Sequence, residues 1–91
     1  MVETTVCVCN TLGLHARAAA HLVRLANLYS SSIIIERKDN GTNANAKSIL
    51  SVLSLAASHG VELHIVADGS DEAAAIKAIE ELFLSKFGED Q

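Results

Sequence analysis

The feature that most limits how this chain can fold is the succession of its hydrophobic periods, which switch between strand and helix spacing along 91 residues. Residues 2–9 alternate, with Val2, Thr4, Val6 and Val8 on one side and Glu3, Thr5, Cys7 and Cys9 on the other. Val6 and Val8 are thereby expected to face the core and the two thiols to face away. From residue 16 to about residue 29, Ala19, Leu22, Val23, Ala26 and Tyr29 recur at helical spacing, with His21 and Arg24 on other flanks. Residues 32–37 are β-branched and extended, Lys38-Asp39-Asn40-Gly41 reads as a hairpin turn, and residues 42–45 return as a short strand whose polarity predicts an edge. Ser48 is placed to cap a second, shorter helix that runs through Ala57 and ends at His59-Gly60. Residues 61–67 alternate again, with Val61, Leu63, Ile65 and Ala67 inward and Glu62, His64 and Val66 outward. After the turn at Asp68-Gly69, Ser70 is expected to cap a third helix carrying Asp71 and Glu72 in its first turn and a buried stripe of Ile76, Ile79, Leu82 and Phe83. Glu89-Asp90-Gln91 should fray.

The resulting order, β-α-β-β-α-β-α, predicts a two-layer α+β domain with its helices on one face of the sheet. A right-handed crossover through the first helix makes the first two strands parallel and non-adjacent. A hydrophobic content of 49% and a mean hydropathy of +0.28 allow one domain over residues 1–91 to close a core without disulfide or metal. A net charge of −4 with 3% aromatic residues argues against nucleic acid, which needs basic stripes and stacking rings. No apolar run reaches membrane-spanning length and no signal peptide is visible, so the expected compartment is the cytoplasm. Cys7 and Cys9 form a C-x-C, but zinc wants four ligands and His15, His21, His59 and His64 provide no second pair at suitable spacing. The thiols read as ordinary strand residues, with no metal.

The stretch Leu12-Gly13-Leu14-His15-Ala16-Arg17 carries chemistry, because it sets a histidine at the opening of a helix with an arginine two residues on. Free backbone N–H groups and the positive end of the helix dipole gather there, so the amides of Ala16 and Arg17 can hold an anion. Arg17, planar and always charged, can pair with phosphate oxygens, while Gly13 lets the loop turn tightly and a partner approach. The arrangement suits an imidazole that carries a phosphoryl group. The same histidine also reads as a helix cap in a small ligand-sensing or adaptor domain, and phosphorylation distinguishes the two. Eleven carboxylates are present, yet two stretches of more than twenty residues on either side of Ile35–Asn40 contain none. They hold His15, Arg17, Arg24 and Lys47; if they fold together, that side is positive.

On three features the whole chain resembles the histidine-containing phosphocarrier family HPr of the bacterial phosphotransferase system, including its nitrogen branch. These are Gly13-Leu14-His15-Ala16-Arg17, Lys47-Ser48-Ile49-Leu50, and the strand-turn-helix from Val61 to Ala75 through Asp68-Gly69-Ser70-Asp71-Glu72. The resemblance implies an open-faced β-sandwich with a four-stranded antiparallel sheet in the order 1-4-2-3. It implies that His15 accepts phosphate at Nδ1 from enzyme I and passes it to an enzyme IIA component, with Arg17 beside it. No cofactor and no independent turnover are implied, and the carrier is expected to be a monomer. Leu14, Ala20, Arg24, Lys47, Ile49, Leu50 and Leu53 match partner-docking positions. Ser48 matches a regulatory serine served by a kinase/phosphorylase, although a capping serine needs no regulatory role and both readings stand. Ala18 departs from the family's usual proline, the stretch from Tyr29 to Ser48 is slightly longer than in sugar-type carriers, and the tail from Glu81 looks closer to the nitrogen branch.

Overall fold

A computed structural model describes residues 1–88, so the fraying expected at Glu89-Asp90-Gln91 lies outside the described residues. Along the chain run β1 (Val2–Cys7), α1 (Ala16–Ala26), β2 (Ser32–Arg37), β3 (Asn43–Asn45), α2 (Ile49–Ser54), β4 (Glu62–Asp68) and α3 (Glu72–Leu84), with a 3-10 turn at Lys86–Gly88. The strands form one antiparallel sheet in the order β1-β4-β2-β3. β1 and β2 each pair with β4 from opposite sides, which makes them parallel to one another and non-adjacent. The polar β3 takes the edge, as its composition predicts.

Strand alternation decides what is buried. Val8, Ile33, Ile35, Leu63, Ile65 and Ala67 point into one core with Leu22 of α1, Val52 of α2 and Ile79 of α3. The opposite face stays open: Ile34 and Val66 pair across it, and His64 lies with Nε2 2.7 Å from Glu3 Oε1 and Nδ1 3.9 Å from Glu36 Oε1. Cys7 and Cys9 are exposed free thiols. Partial loss of water and the neighbouring Cys9 thiol push the Cys7 thiol above its ordinary range.

Several boundaries differ from expectation. β1 ends at Cys7 rather than Cys9, although Val8 still donates to the Val61 carbonyl at 2.9 Å and accepts from Gly60 at 2.8 Å. α1 ends at Ala26 rather than near Tyr29, where Asn27 turns its side-chain amide onto the Val23 carbonyl at 2.8 Å. α2 stops at Ser54, well short of Ala57, because Ala56 turns into the left-handed region at φ 50°. Arg37 takes up the carbonyls that this ending leaves open, reaching Leu55 O at 2.9 Å and Ala56 O at 3.3 Å.

The start of α3 also differs. Asp71, not Ser70, occupies the N-cap position, and its carboxylate is spent on another element. It accepts from the backbone of Ser30 at 2.9 Å and of Ser31 at 3.0 Å, and from the Ser31 hydroxyl. Glu72 reaches back to the Gly69 amide at 3.0 Å and holds the N-terminal ammonium at 2.8 Å. Gly69 is required because a Cβ there would lie 2.6 Å from Ser31 Oγ, at a φ of 156°. After α3 the chain doubles back through Lys86 and Phe87, both at positive φ, and seats the Phe87 ring edge-on to Phe83 with centroids 4.8 Å apart.

Candidate functional site

The loop between β1 and α1 is fixed from two sides. Asn10 continues the inward register of β1, is fully buried, and donates through Nδ2 to the Gly13 carbonyl at 2.8 Å. Gly13 donates to Asn10 O at 3.2 Å, and Leu14 donates to Ala57 O at 2.8 Å. Gly13 has a φ of 70° and sits so close to the segment after α2 that a Cβ would lie 2.7 Å from Ala57 O and 2.9 Å from Ser58 Cα. Only glycine fits that contact without displacing backbone.

His15 follows directly, at the N-cap of α1 with φ −74° and ψ 178°. This extended backbone lets its carbonyl accept from Ala19 at 2.8 Å and start the helix, while its side chain makes no capping hydrogen bond to α1. Its ring is half-buried, and Arg17 beyond it is exposed. The amides of Ala16, Arg17 and Ala18 come before Ala19, the first to donate within the helix, so the polar end of α1 is directed at the histidine. No acidic residue stands in that first turn to compete for the amides. An anionic group on the imidazole would meet oriented N–H dipoles, with the exposed Arg17 in the same turn.

The expected docking residues divide into two groups. Arg24 and Leu50 are exposed, Ile49 is 37% exposed, and Ala20 and Leu53 are half-buried. Leu14 is different: at 5% exposure it belongs to the core and anchors the loop, so its side chain adds nothing to a docking surface. Lys47 donates through Nζ to the Tyr29 carbonyl at 2.6 Å, and its own carbonyl accepts from Asn27 at 3.3 Å. These bonds join the end of α1 to the start of α2 and bring the two acid-free stretches together. Ser48 is the N-cap of α2, its hydroxyl accepting from Ser51 N at 3.4 Å. Val52 and Leu55 are core residues, as their spacing predicts.

Asn10 was missed as a site residue although its signal is in the sequence. The alternation Val6, Val8, Asn10 puts a polar side chain inward, where it must find a partner. The Ala57 carbonyl could not be found in this way, since backbone acceptors leave no mark in residue identity.

A sheet of order 1-4-2-3 under helices, with a histidine at the head of the first helix, is the framework of the small histidine phosphocarriers, and comparison with known proteins agrees. The family model described as "PTS HPr component phosphorylation site" matches residues 2–85, and the chain belongs to the HPr family of the phosphotransferase system. It is 47% identical over 90 residues to the phosphocarrier protein HPr of Treponema pallidum, covering 99% of this chain and 100% of that one. It is also 38% identical over 89 residues to the phosphocarrier protein NPr of Klebsiella oxytoca, covering 98% of each. The crystal structure of HPr-C-His from Thermoanaerobacter tengcongensis superposes with a TM-score of 0.93 at 44% identity over 100% of both chains.

Proposed function

We propose that His15 accepts a phosphoryl group at Nδ1 from phosphoenolpyruvate-charged enzyme I and passes it to an enzyme IIA component. The observation that carries this reading is the placement of His15 at the N-cap of α1 with a side chain that does no capping, followed by the exposed Arg17. A capping role alone would have used the ring for the helix. In the step itself the imidazole nitrogen bonds to phosphorus as the donor's bond to the same phosphorus breaks, with the phosphoryl oxygens facing the Ala16 and Arg17 amides and the Arg17 guanidinium. Those groups offset charge without enclosing it, so the phosphate leaves as readily as it arrives. The chain acts as a cosubstrate between enzymes, as a single monomeric domain in the cytoplasm, with no cofactor of its own.

Ala20, Arg24, Lys47, Ile49, Leu50 and Leu53 form the docking surface, in which an apolar patch on α2 adjoins the basic side of α1. Ser48 is a candidate for regulatory phosphorylation by a kinase/phosphorylase, since a charge added there stands beside Ile49 and Leu50. The NPr relative at 38% identity leaves sugar uptake and nitrogen regulation as alternative pathways for the same chemistry. The test is incubation of wild type, His15→Ala and Arg17→Ala with enzyme I and labelled phosphoenolpyruvate. Wild type should take up acid-labile label, Arg17→Ala should take it up more slowly with its fold intact, and His15→Ala should take up none. Acid-labile label on His15→Ala would sink the assignment.

A further inference from the structure

We propose that Arg37, which stands between His15 and α2 in the sequence and outside the docking surface, is a positioning residue for the phosphoryl-accepting histidine. The inference rests on the phosphocarrier reading of His15 and adds to it a chain of contacts that begins in the β2–β3 hairpin. Arg37 closes β2, and its side chain is 17% exposed. Nε and Nη2 donate to the two carboxylate oxygens of Asp39, at 2.8 and 2.7 Å, in a two-point grip that fixes the plane of the group. That pairing holds the Asp39 carboxyl below the ordinary carboxylate range. Nη1 is thereby aimed at the end of α2, where it donates to Leu55 O at 2.9 Å and Ala56 O at 3.3 Å.

Those carbonyls mark the place where the chain leaves the helix. Ala56 stands at φ 50°, a conformation strained for any residue with a Cβ, so something must hold the turn there. The next residue, Ala57, gives its carbonyl to Leu14 N at 2.8 Å, and its carbonyl and Ser58 Cα form the surface against which Gly13 is packed. Leu14 is followed by His15. The position of the imidazole thus depends on where Ala57 sits, and Ala57 sits one residue beyond a carbonyl held by Arg37. On its other side the segment is fixed by Val61 N to Ser58 O at 3.1 Å and by Gly60 N to Val8 O at 2.8 Å. Arg37 supplies the side-chain hold on the α2 side of that segment.

A lysine could not do the same work. Its ammonium has no fork to engage both Asp39 oxygens while it reaches two carbonyls at the end of a helix. Loss of the guanidinium should let the segment from Leu55 to Ala57 relax, lengthen the Leu14–Ala57 bond and loosen the histidine without removing any docking side chain. Such a defect acts on the chemical step more than on binding.

The experiment compares wild type, Arg37→Met, Arg37→Lys, Asp39→Asn and, as a core substitution remote from the loop, Ile79→Val. Two quantities are measured: phosphorylation of the chain by charged enzyme I as a function of chain concentration, and hydrogen exchange at the Leu14 amide. With Arg37→Met the maximal rate should fall roughly 3- to 30-fold. KM should stay within about twofold of wild type, as expected when docking is untouched. Exchange at Leu14 should rise, exchange at Ile65 in β4 should not, and Arg37→Lys and Asp39→Asn should show smaller shifts in the same direction. Ile79→Val should lower the melting temperature yet leave both Leu14 exchange and the maximal rate unchanged. If Arg37→Met does not fold, Arg37→Lys is read by the same criteria. A wild-type rate retained by the Arg37 variants, or a loss confined to KM, overturns the positioning role while leaving the phosphocarrier reading intact. A wild-type chain that takes up no phosphate overturns the phosphocarrier reading and the role of Arg37 with it.

Discussion

Asp71 joins two parts of the fold with one carboxylate. It stands where the sequence suggests a helix-start residue, but it accepts from Ser30 and Ser31 and so ties the α1–β2 connection to the head of α3. Bonds from the Ser31 hydroxyl and the Ser30 amide hold its carboxyl at about 2, below an ordinary value of 3.8. A depressed folded-state pKa contributes stability that is present above the ordinary value and lost as pH falls through the folded one. Wild type should therefore lose stability progressively as pH drops from about 4 to about 2, and Asp71→Asn should be less stable at neutral pH but lose less over that interval. Denaturant melts of both proteins at a series of pH values check this, and an acid-dependent loss as large in Asp71→Asn as in wild type would contradict it. The helix-start signal at Asp71 was legible in the sequence. Its choice of Ser31 over its own helix was not, because that choice depends on Gly69 letting the two segments touch.

At the level of elements, helix ends are where sequence and structure part. The spacing of Val52 and Leu55 located α2, and the Ser48 cap located its start, yet nothing local to Ala56 announces a left-handed turn. That turn is stabilised by Arg37, nearly twenty residues earlier in the chain, and by packing against Gly13. The Ser48 cap is a long one at 3.4 Å, so Ser48→Ala should cost only about 0.5 kcal/mol, the low end for losing a capping hydroxyl. Ser48→Asp keeps an acceptor at the helix start and should melt close to wild type, while slowing phosphorylation by enzyme I at low salt and less so at high salt. Thermal melts and transfer rates at two ionic strengths separate these effects; a large drop in melting temperature for Ser48→Asp would show that the cap cannot hold a charge. Beyond α3, Phe87 was not recognised as core because it lies past the last periodic residue. Its ring is 6% exposed and packs edge-on to Phe83. Phe87→Ala should destabilise the fold by about 3 kcal/mol, measured by denaturant unfolding, whereas a fraying tail would lose almost nothing.

For the molecule as a whole, strand facing was legible because alternation fixes which side of each strand is buried, and Val8, Leu63 and Ile65 obey it, whereas the order 1-4-2-3 was legible only through the family resemblance. The distribution of charge acquires meaning only after folding. α1, with Arg17 and Arg24, meets the start of α2 at Lys47 through the Asn27 contact, while Glu3 and Glu36 surround His64 on the open face of the sheet. The helical side that bears His15 is thus the side on which the acid-free stretches meet, which favours approach of an acidic partner despite the net charge of −4. Of the site, His15 and Arg17 were visible as residue types at a spacing and Asn10 as a polar residue in an inward register; the Ala57 carbonyl that holds the loop needed the fold. In the function proposed above, one imidazole nitrogen at the head of α1 carries the phosphate. Its most direct test is NMR of protein phosphorylated with enzyme I and phosphoenolpyruvate, reading phosphorus coupling to the ring of each histidine. A single acid-labile phosphate is expected on Nδ1 of His15, with the rings of His21, His59 and His64 unmodified. Phosphate on Nε2, on another residue, or no stable modification of His15 under conditions of full transfer would contradict it.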